Sequence, residues 1–267
     1  MSLGRPQLVA SDLDGTLLSP DMVFPDGLAE GLAALREAGI TFVVSTGRMF
    51  QSVQKAVRPI GLRDGPIVCY QGAMVADLAD GRVLAHTPVP ADVAADVVRY
   101  AHQLGRHINA YIDDRFTTDQ DDEWARFYAD YGKIECHLVP DLEAAVRQSA
   151  STKLLILADP EDVERLLPVF RERYGRELFV VRSQPQFLEL TSARVSKSSA
   201  LTYVCDLLGV DARATVACGD ADNDLDMLRW AGTSVAVAEG NKTVRAAADV
   251  VVPRARLGDY FRELAGR

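Results

Sequence analysis

The sequence predicts an α/β fold, a parallel sheet with helices on both faces, interrupted by an inserted α+β domain. Three observations predict it. Short apolar, β-rich runs alternate with helix-patterned segments at both ends of the chain, the rhythm of a parallel sheet with crossover helices. The middle, from about residue 82 to about residue 190, breaks that rhythm and mixes helices with strands of its own. Asp, Gly, Ser and Thr cluster immediately after several apolar runs, at the sheet edge where open α/β folds bind ligands.

The first strand is expected over residues 7–11. A helix follows over 26–38: Asp26 can cap its start, Leu28, Leu32 and Leu35 form its apolar stripe, and Gly39 ends it. Residues 41–45 and 66–70 read as further strands. Beyond the middle, helices are expected over 198–208, 222–231 and 241–248, and strands over 214–218, 234–238 and 249–252. Within the middle, helices are expected over 91–104, 123–131 and 161–174, and strands over 153–158, 178–182 and 187–190. Pro168 should kink or split the last of these helices. The acidic run at 119–123 reads as a solvated loop or a helix start. The core is thus expected to comprise residues 1–82 and 191–267, with 83–190 inserted as a second domain.

The 267 residues suit two domains, and 48% hydrophobic with 25% charged residues is ordinary for a globular chain able to bury a core. A formal net charge of −9 argues against a broad nucleic-acid surface. No apolar run is long enough to span a membrane, and the first residues do not form a secretory signal. The four cysteines, Cys69, Cys136, Cys205 and Cys218, lie far apart and read as buried, reduced thiols of a cytoplasmic protein. No nucleic-acid or membrane partner is expected, and the oligomeric state is not readable from the sequence.

Ser11-Asp12-Leu13-Asp14-Gly15-Thr16 closes the first strand. Residues i and i+2 of an extended segment share a face, so Asp12 and Asp14 project together beyond the strand end. Two anions so placed call for a cation or a proton, and a hard divalent ion fits; an ordinary Asp-Gly turn fits as well. Ser45-Thr46-Gly47-Arg48 ends a second strand with a hydroxyl, bare amides and a cation, which suits a phosphate or a simple helix cap. Gly219-Asp220-Ala221-Asp222-Asn223-Asp224 follows a third strand and offers three carboxylates, for a cation or for capping a helix by Asp222 or Asn223. A calcium loop counted from Asp220 fails, with Leu225 where Gly is needed and Ala231 where Glu is needed. Lys197 stands at a helix start, where a cation opposes the macrodipole unless carboxylates or phosphate surround it.

In this order and at these element boundaries, the set resembles the four motifs of the haloacid dehalogenase-like (HAD) phosphohydrolase superfamily. It most resembles the Cof-type branch, whose large cap is inserted after the second motif. The resemblance covers nearly the whole chain, including Gln71-Gly72-Ala73, Phe187-Leu188-Glu189-Leu190 and Gly240-Asn241. Spacing agrees: about 150 residues separate Thr46 from Lys197, far more than one sheet crossover needs. Ser198, Ala221 and Gln71 depart from the residues relatives often carry there, which bears on loop detail rather than on the charged groups.

The resemblance implies a HAD-type Rossmann-like core and a Mg²⁺-dependent phosphatase acting on a small phosphorylated metabolite through an aspartyl-phosphate. Asp12 would be the nucleophile and Asp14 the general acid/base. Asp12, the Asp14 carbonyl, Asp220 and Asp224 would hold Mg²⁺, with Asp224 acting directly or through water. Thr46, Gly47, Lys197 and Asn223 would bind the phosphoryl group. Arg48, Arg182 and Glu189 are candidates for contacting the rest of the substrate, with Gln184 near them. A phosphomutase or phosphotransferase of the same superfamily, or a non-catalytic phospholigand-binding protein, are the alternatives. Arg171, Arg173 and Arg176 read as a solvated face, Trp124 and Trp230 as packing, and the four histidines carry no assignment.

Overall fold

The computed structural model describes residues 5–266. The chain forms two compact units, one made of residues up to Ala85 and from Ser196 onward, the other of His86–Val195.

The first unit begins with β1 (Leu8–Ser11), whose four residues are all buried. α1 (Leu28–Glu37) follows, then β2 (Thr41–Val44), α2 (Phe50–Val57), β3 (Pro66–Cys69), β4 (Met74–Asp77) and β5 (Val83–His86). Asp26 does not cap α1. The helix instead starts from Gly27 at φ 76°, with no side-chain cap, because α1 must run tight against the C-terminal helix. A Cβ at Gly31 would lie 2.5 Å from the Gly258 carbonyl oxygen, so two glycines make that crossing possible. Gly39, at φ 72°, ends the turn after α1, as the sequence indicates.

The second unit contains α3 (Ala91–Gln103), β6 (His107–Ile112), β7 (Arg115–Thr118), α4 (Glu123–Gly132), β8 (Cys136–Leu138), α5 (Leu142–Gln148), β9 (Ser151–Leu157), α6 (Pro160–Tyr174), β10 (Leu178–Gln184) and β11 (Phe187–Ser192). Its six strands form one sheet in the order β10-β11-β9-β6-β7-β8. Neighbours are antiparallel except β7 and β8. Ile108, Ala110, Leu154, Ile156, Leu188 and Leu190 point from the sheet into a shared core with α3, α5 and α6. α6 runs unbroken through Pro168. Pro168 lies on the exposed face of the helix, where the loss of one amide donor is least costly. β11 continues to Ser192 rather than stopping at Leu190, because Thr191 and Ser192 still pair with Phe179 and Leu178. In the acidic run, Asp122 caps α4 by accepting from the Ala125 amide at 2.9 Å, and Asp119 accepts from the Leu142 amide at 2.9 Å.

The chain then returns to the first unit with α7 (Lys197–Leu208), β12 (Thr215–Gly219), α8 (Leu225–Trp230), β13 (Thr233–Val237), α9 (Lys242–Ala247), β14 (Val250–Val252) and α10 (Leu257–Leu264). The five-stranded sheet has the order β14-β13-β12-β1-β2 and is parallel throughout. Leu8, Ala10, Ala217 and Ala236 face a core shared with α7, α8 and α9. On the other face Phe42 meets Phe261 of α10 with ring centroids 5.5 Å apart. Cys69, Cys205 and Cys218 are buried as expected, whereas Cys136, on the short edge strand β8, is only partly covered. Among the described residues no helix is long and apolar enough to cross a membrane.

Candidate active site

Parallel register aligns the carboxyl ends of three adjacent strands. Ser11 pairs with Cys218 on one side and Val44 on the other, so Asp12, Gly219-Asp220 and Ser45-Thr46 leave the sheet side by side. After β1 the chain turns sharply: the Gly15 amide donates to the Leu18 carbonyl and the Leu18 amide to the Leu13 carbonyl, both at 2.8 Å. Gly15 sits at φ 87°, and a Cβ there would lie 2.3 Å from Asp220 Oδ2. Only glycine lets the turn approach that carboxylate.

Lys197 is the first residue of α7, capped by Ser196, whose side chain accepts from the Ser199 amide. Its side chain is 1% exposed, yet its ammonium donates to Asp12 Oδ1 at 2.5 Å and to Asp224 Oδ1 at 2.7 Å. Burial alone would discharge this lysine, but the two carboxylates more than offset that and hold its pKa above the ordinary value. Asp224 is completely buried. Its other oxygen accepts from the Asp220 and Ala221 amides at 3.0 and 3.1 Å, a carboxylate reaching back to orphan donors at a helix start. Neither Asp222 nor Asn223 caps that start; such a cap is one of the two readings the sequence leaves open for this segment. Residues Asp222–Asp224 form a 3₁₀ turn ahead of α8, and Asp222 instead accepts from the Asn241 side-chain amide at 2.9 Å.

One oxygen each of Asp12, Asp220 and Asp224 lie within 4.8 Å of one another. Burial, opposed by Lys197 and reinforced by Asp224 and Asp220, pushes Asp12 well above the usual carboxylate range. Asp220 is pushed up to about 6 by burial and by Asp224, against the Thr16 hydrogen bond, Lys197 and Arg254. Three carboxylates around a single ammonium leave an excess of negative charge, which a divalent cation with oxygen ligands would balance. The donor set therefore fits a hard metal ion. A pH consequence follows. Asp220 binds a proton more readily folded than unfolded, so unfolding releases protons and stability of metal-free protein falls as pH rises through 6. Chelator-treated protein is expected to melt higher at pH 5.5 than at pH 7.5, and Asp220→Asn to flatten that slope in thermal melts. An equal slope in the variant contradicts the assignment.

Thr46 is buried and its hydroxyl accepts from the Arg48 amide at 3.2 Å; the neighbouring Ser45 hydroxyl is buried with no hydrogen-bond partner among the described residues. Gly47 is held closely by Gln71, whose amide nitrogen would be 2.5 Å from a Cβ placed there. Gln71 Oε1 in turn accepts from Asn223 Nδ2 at 3.4 Å. Tyr70, Gln71 and Gly72 all have positive φ, at 52°, 58° and 103°. That strained turn is fixed by amide bonds from Tyr70 to the Arg48 carbonyl and from Gln71 to the Thr46 carbonyl, both at 3.0 Å. It joins the Ser45–Arg48 segment to Asn223, a link that Gln71-Gly72-Ala73 in the sequence did not show.

Arg48 is placed differently from a free phosphate ligand. Its guanidinium grips Asp14, Nε to Oδ2 at 2.7 Å and Nη2 to Oδ1 at 2.5 Å. Asp14 is exposed and its side chain stands outside the carboxylate cluster. Arg182 and Glu189 belong to the second unit, and both are engaged there. Arg182 pairs with Glu164 of α6, and Glu189 is buried beside Lys153 at 3.2 Å, accepting from the Ser183 hydroxyl at 2.8 Å. Gln184 is exposed at the end of β10. Arg171 donates to the Val180 carbonyl, and Arg173 pairs with Asp96 while lying over the Tyr100 ring, so neither is merely solvated. Sequence reasoning missed Arg254, which donates from Nε to the Gly15 and Thr16 carbonyls at 3.2 Å. No signal in an Arg-Ala-Arg stretch marks which arginine turns inward.

Residues 9–256 match the family model of the haloacid dehalogenase-like hydrolases. The chain is 29% identical over 249 residues to 5-amino-6-(5-phospho-D-ribitylamino)uracil phosphatase YitU of Bacillus subtilis, covering 90% of each chain. It is 29% identical over 240 residues to the HMP-PP phosphatase of Escherichia coli O157:H7, covering 90% of this chain and 87% of that one. Among solved structures, TM0651 of Thermotoga maritima superposes with a TM-score of 0.87 at 28% identity, over 98% of this chain and 97% of that one. Carboxylates at the ends of parallel strands, a buried lysine between them and this span of similarity lead to one conclusion: the chain is an enzyme of the haloacid dehalogenase-like hydrolase family, in its Cof-type branch.

Proposed function

We propose that the protein is a Mg²⁺-dependent phosphatase of small phosphomonoesters that works through a phosphorylated Asp12. The observation that carries this reading is the Asp12 carboxylate, 5% exposed at the end of β1 and hydrogen-bonded to a buried ammonium at 2.5 Å. An aspartate so held is oriented for attack and shielded from bulk water. The Asp12 and Asp220 carboxylates and the Asp14 carbonyl would hold Mg²⁺, with Asp224 bracing Asp220 through its amide. Bound there, the ion would neutralise charge on the phosphoryl oxygens.

Asp12 Oδ attacks phosphorus in line, and the bond from phosphorus to the leaving oxygen breaks. Asp14 gives its proton to that oxygen, so the product leaves as an alcohol. A water then attacks the phosphoryl group while the Asp14 carboxylate takes its proton. The phosphorus–Asp12 bond breaks, phosphate departs, and both aspartates return to their starting states. Lys197, the Thr46 hydroxyl, the Gly47 amide and Asn223 stabilise the phosphoryl oxygens throughout. Arg48 holds the Asp14 carboxylate, the form that takes the proton from the attacking water, and releases it for the first step, in which Asp14 carries a proton. Arg48→Ala is expected to lower kcat/KM by about 100-fold in steady-state assays, the scale of a misplaced catalytic group. A wild-type value in that variant contradicts the role.

The second unit acts as the substrate-selecting cap in this reading. The two relatives are named for 5-amino-6-(5-phospho-D-ribitylamino)uracil and for HMP-PP, and both compounds belong in the test. Phosphate release is measured from a panel of phosphorylated metabolites, those two compounds and an aryl phosphate, with Mg²⁺ and with chelator. Metal-dependent release supports the reading; folded, Mg²⁺-loaded protein that releases no phosphate from any of them overturns it.

A further inference from the structure

We infer that Arg254 is a positioning residue: its guanidinium fork locks the turn after Asp14 and thereby fixes the Asp220 carboxylate for metal binding. The inference rests on the proposed metal role of Asp220. Arg254 stands at the start of the 3₁₀ turn Arg254–Arg256, after Pro253 and just beyond β14. Its own amide donates to Glu239 Oε2 at 3.0 Å, which ties it to the loop after β13. From there Nε reaches both the Gly15 and Thr16 carbonyls at 3.2 Å, and Nη2 also donates to the Gly15 carbonyl.

Those carbonyls belong to the turn that carries Asp14, at residues outside any strand. A planar fork with several donors can satisfy two adjacent carbonyls at once, which a lysine ammonium cannot do with the same fixed geometry. The turn passes the constraint on in two ways. The Thr16 hydroxyl donates to Asp220 Oδ1 at 2.8 Å. Gly15 lies so close to the Asp220 carboxylate that any Cβ there would collide with it. Movement of the turn therefore moves Asp220. The Asp220 carbonyl is meanwhile pinned from the other side by the Asn241 amide at 2.9 Å. Arg256, two residues on, offers a matched comparison: it carries the same charge but is 61% exposed and pairs with Asp259.

The test compares Arg254→Ala, Arg254→Lys and Arg256→Ala by calorimetric titration with Mg²⁺ alone, with steady-state kinetics alongside. Loss of an outer partner of a metal ligand costs about 10- to 100-fold in affinity. Arg254→Ala is expected to weaken Mg²⁺ binding on that scale, Arg254→Lys to recover only part of it, and Arg256→Ala to match wild type. Wild-type Mg²⁺ affinity in Arg254→Lys overturns the inference, and this variant decides the matter if Arg254→Ala does not fold. So does an equal loss in Arg256→Ala, which would make the effect one of charge alone. Wild-type protein that binds Mg²⁺ but releases no phosphate removes the phosphatase reading and leaves this inference standing on the binding data.

Discussion

Asp12→Asn is expected to lose turnover by roughly 10⁴-fold or more, the scale seen when a nucleophile is removed, while keeping its fold. The amide has nearly the same shape but is no nucleophile at phosphorus. The fold should survive because Asp12 is a net burden in the metal-free protein. It is buried among Asp220 and Asp224, and its carboxyl is pushed upward by burial and by those neighbours. Removing one of three negative charges leaves Lys197 still bonded to Asp224 at 2.7 Å. The melting temperature without metal should therefore hold or rise, while Mg²⁺ binding weakens. Circular dichroism and thermal melts check the fold, calorimetric titration checks Mg²⁺ binding, and phosphate release checks turnover. Turnover near the wild-type rate contradicts the role given to Asp12.

Lys197→Met should do the opposite to stability. Asp12 and Asp224, 5% and 0% exposed, would then face each other with no ammonium between them. Removing one partner of a buried ion pair costs about 3–5 kcal/mol, because the charge left behind can neither reach water nor find a new partner. Methionine keeps most of the volume, so packing contributes little to the loss. Urea denaturation of the metal-free variant should show a drop of that size, and Mg²⁺ should restore more stability to it than to wild type. Phosphate release should fall as well, since in the proposed mechanism the ammonium also serves the phosphoryl oxygens. A variant as stable as wild type without metal would show that the ammonium is not what keeps the two carboxylates charged and buried.

The parallel core was legible because its signals are local. Short β-rich tetrads such as Leu8–Ser11, buried throughout, and Thr41–Val44, buried at Val43 and Val44, are each followed by a residue type suited to a strand end. Helix starts were less legible where packing overrides capping: Asp26 offers a cap, but the Gly31–Gly258 crossing sets where α1 begins. In the second unit, β6, β7, β8 and α5 escaped notice. His107, Asn109 and Thr117–Thr118 are polar strand residues that find partners only after folding, as when His107 meets Asp122 and Asn109. At the site, the carboxylates and Lys197 could be read from their positions after strands. The roles of Arg48 and Arg254 could not, because a side chain's choice between phosphate, carboxylate and carbonyl depends on turns whose geometry no short pattern encodes.

The most direct test of the mechanism is to catch the phosphoryl group on the enzyme. Wild-type protein with Mg²⁺ is mixed with a substrate found by the release assay, quenched in acid within one turnover, and its peptides are mapped by mass spectrometry. A phosphoryl group on the peptide that carries Asp12, absent from Asp12→Asn and lost on treatment with hydroxylamine, is the expected result. Full release of the alcohol product with no phosphorylated peptide at any quench time would contradict it and leave direct attack by water as the chemistry.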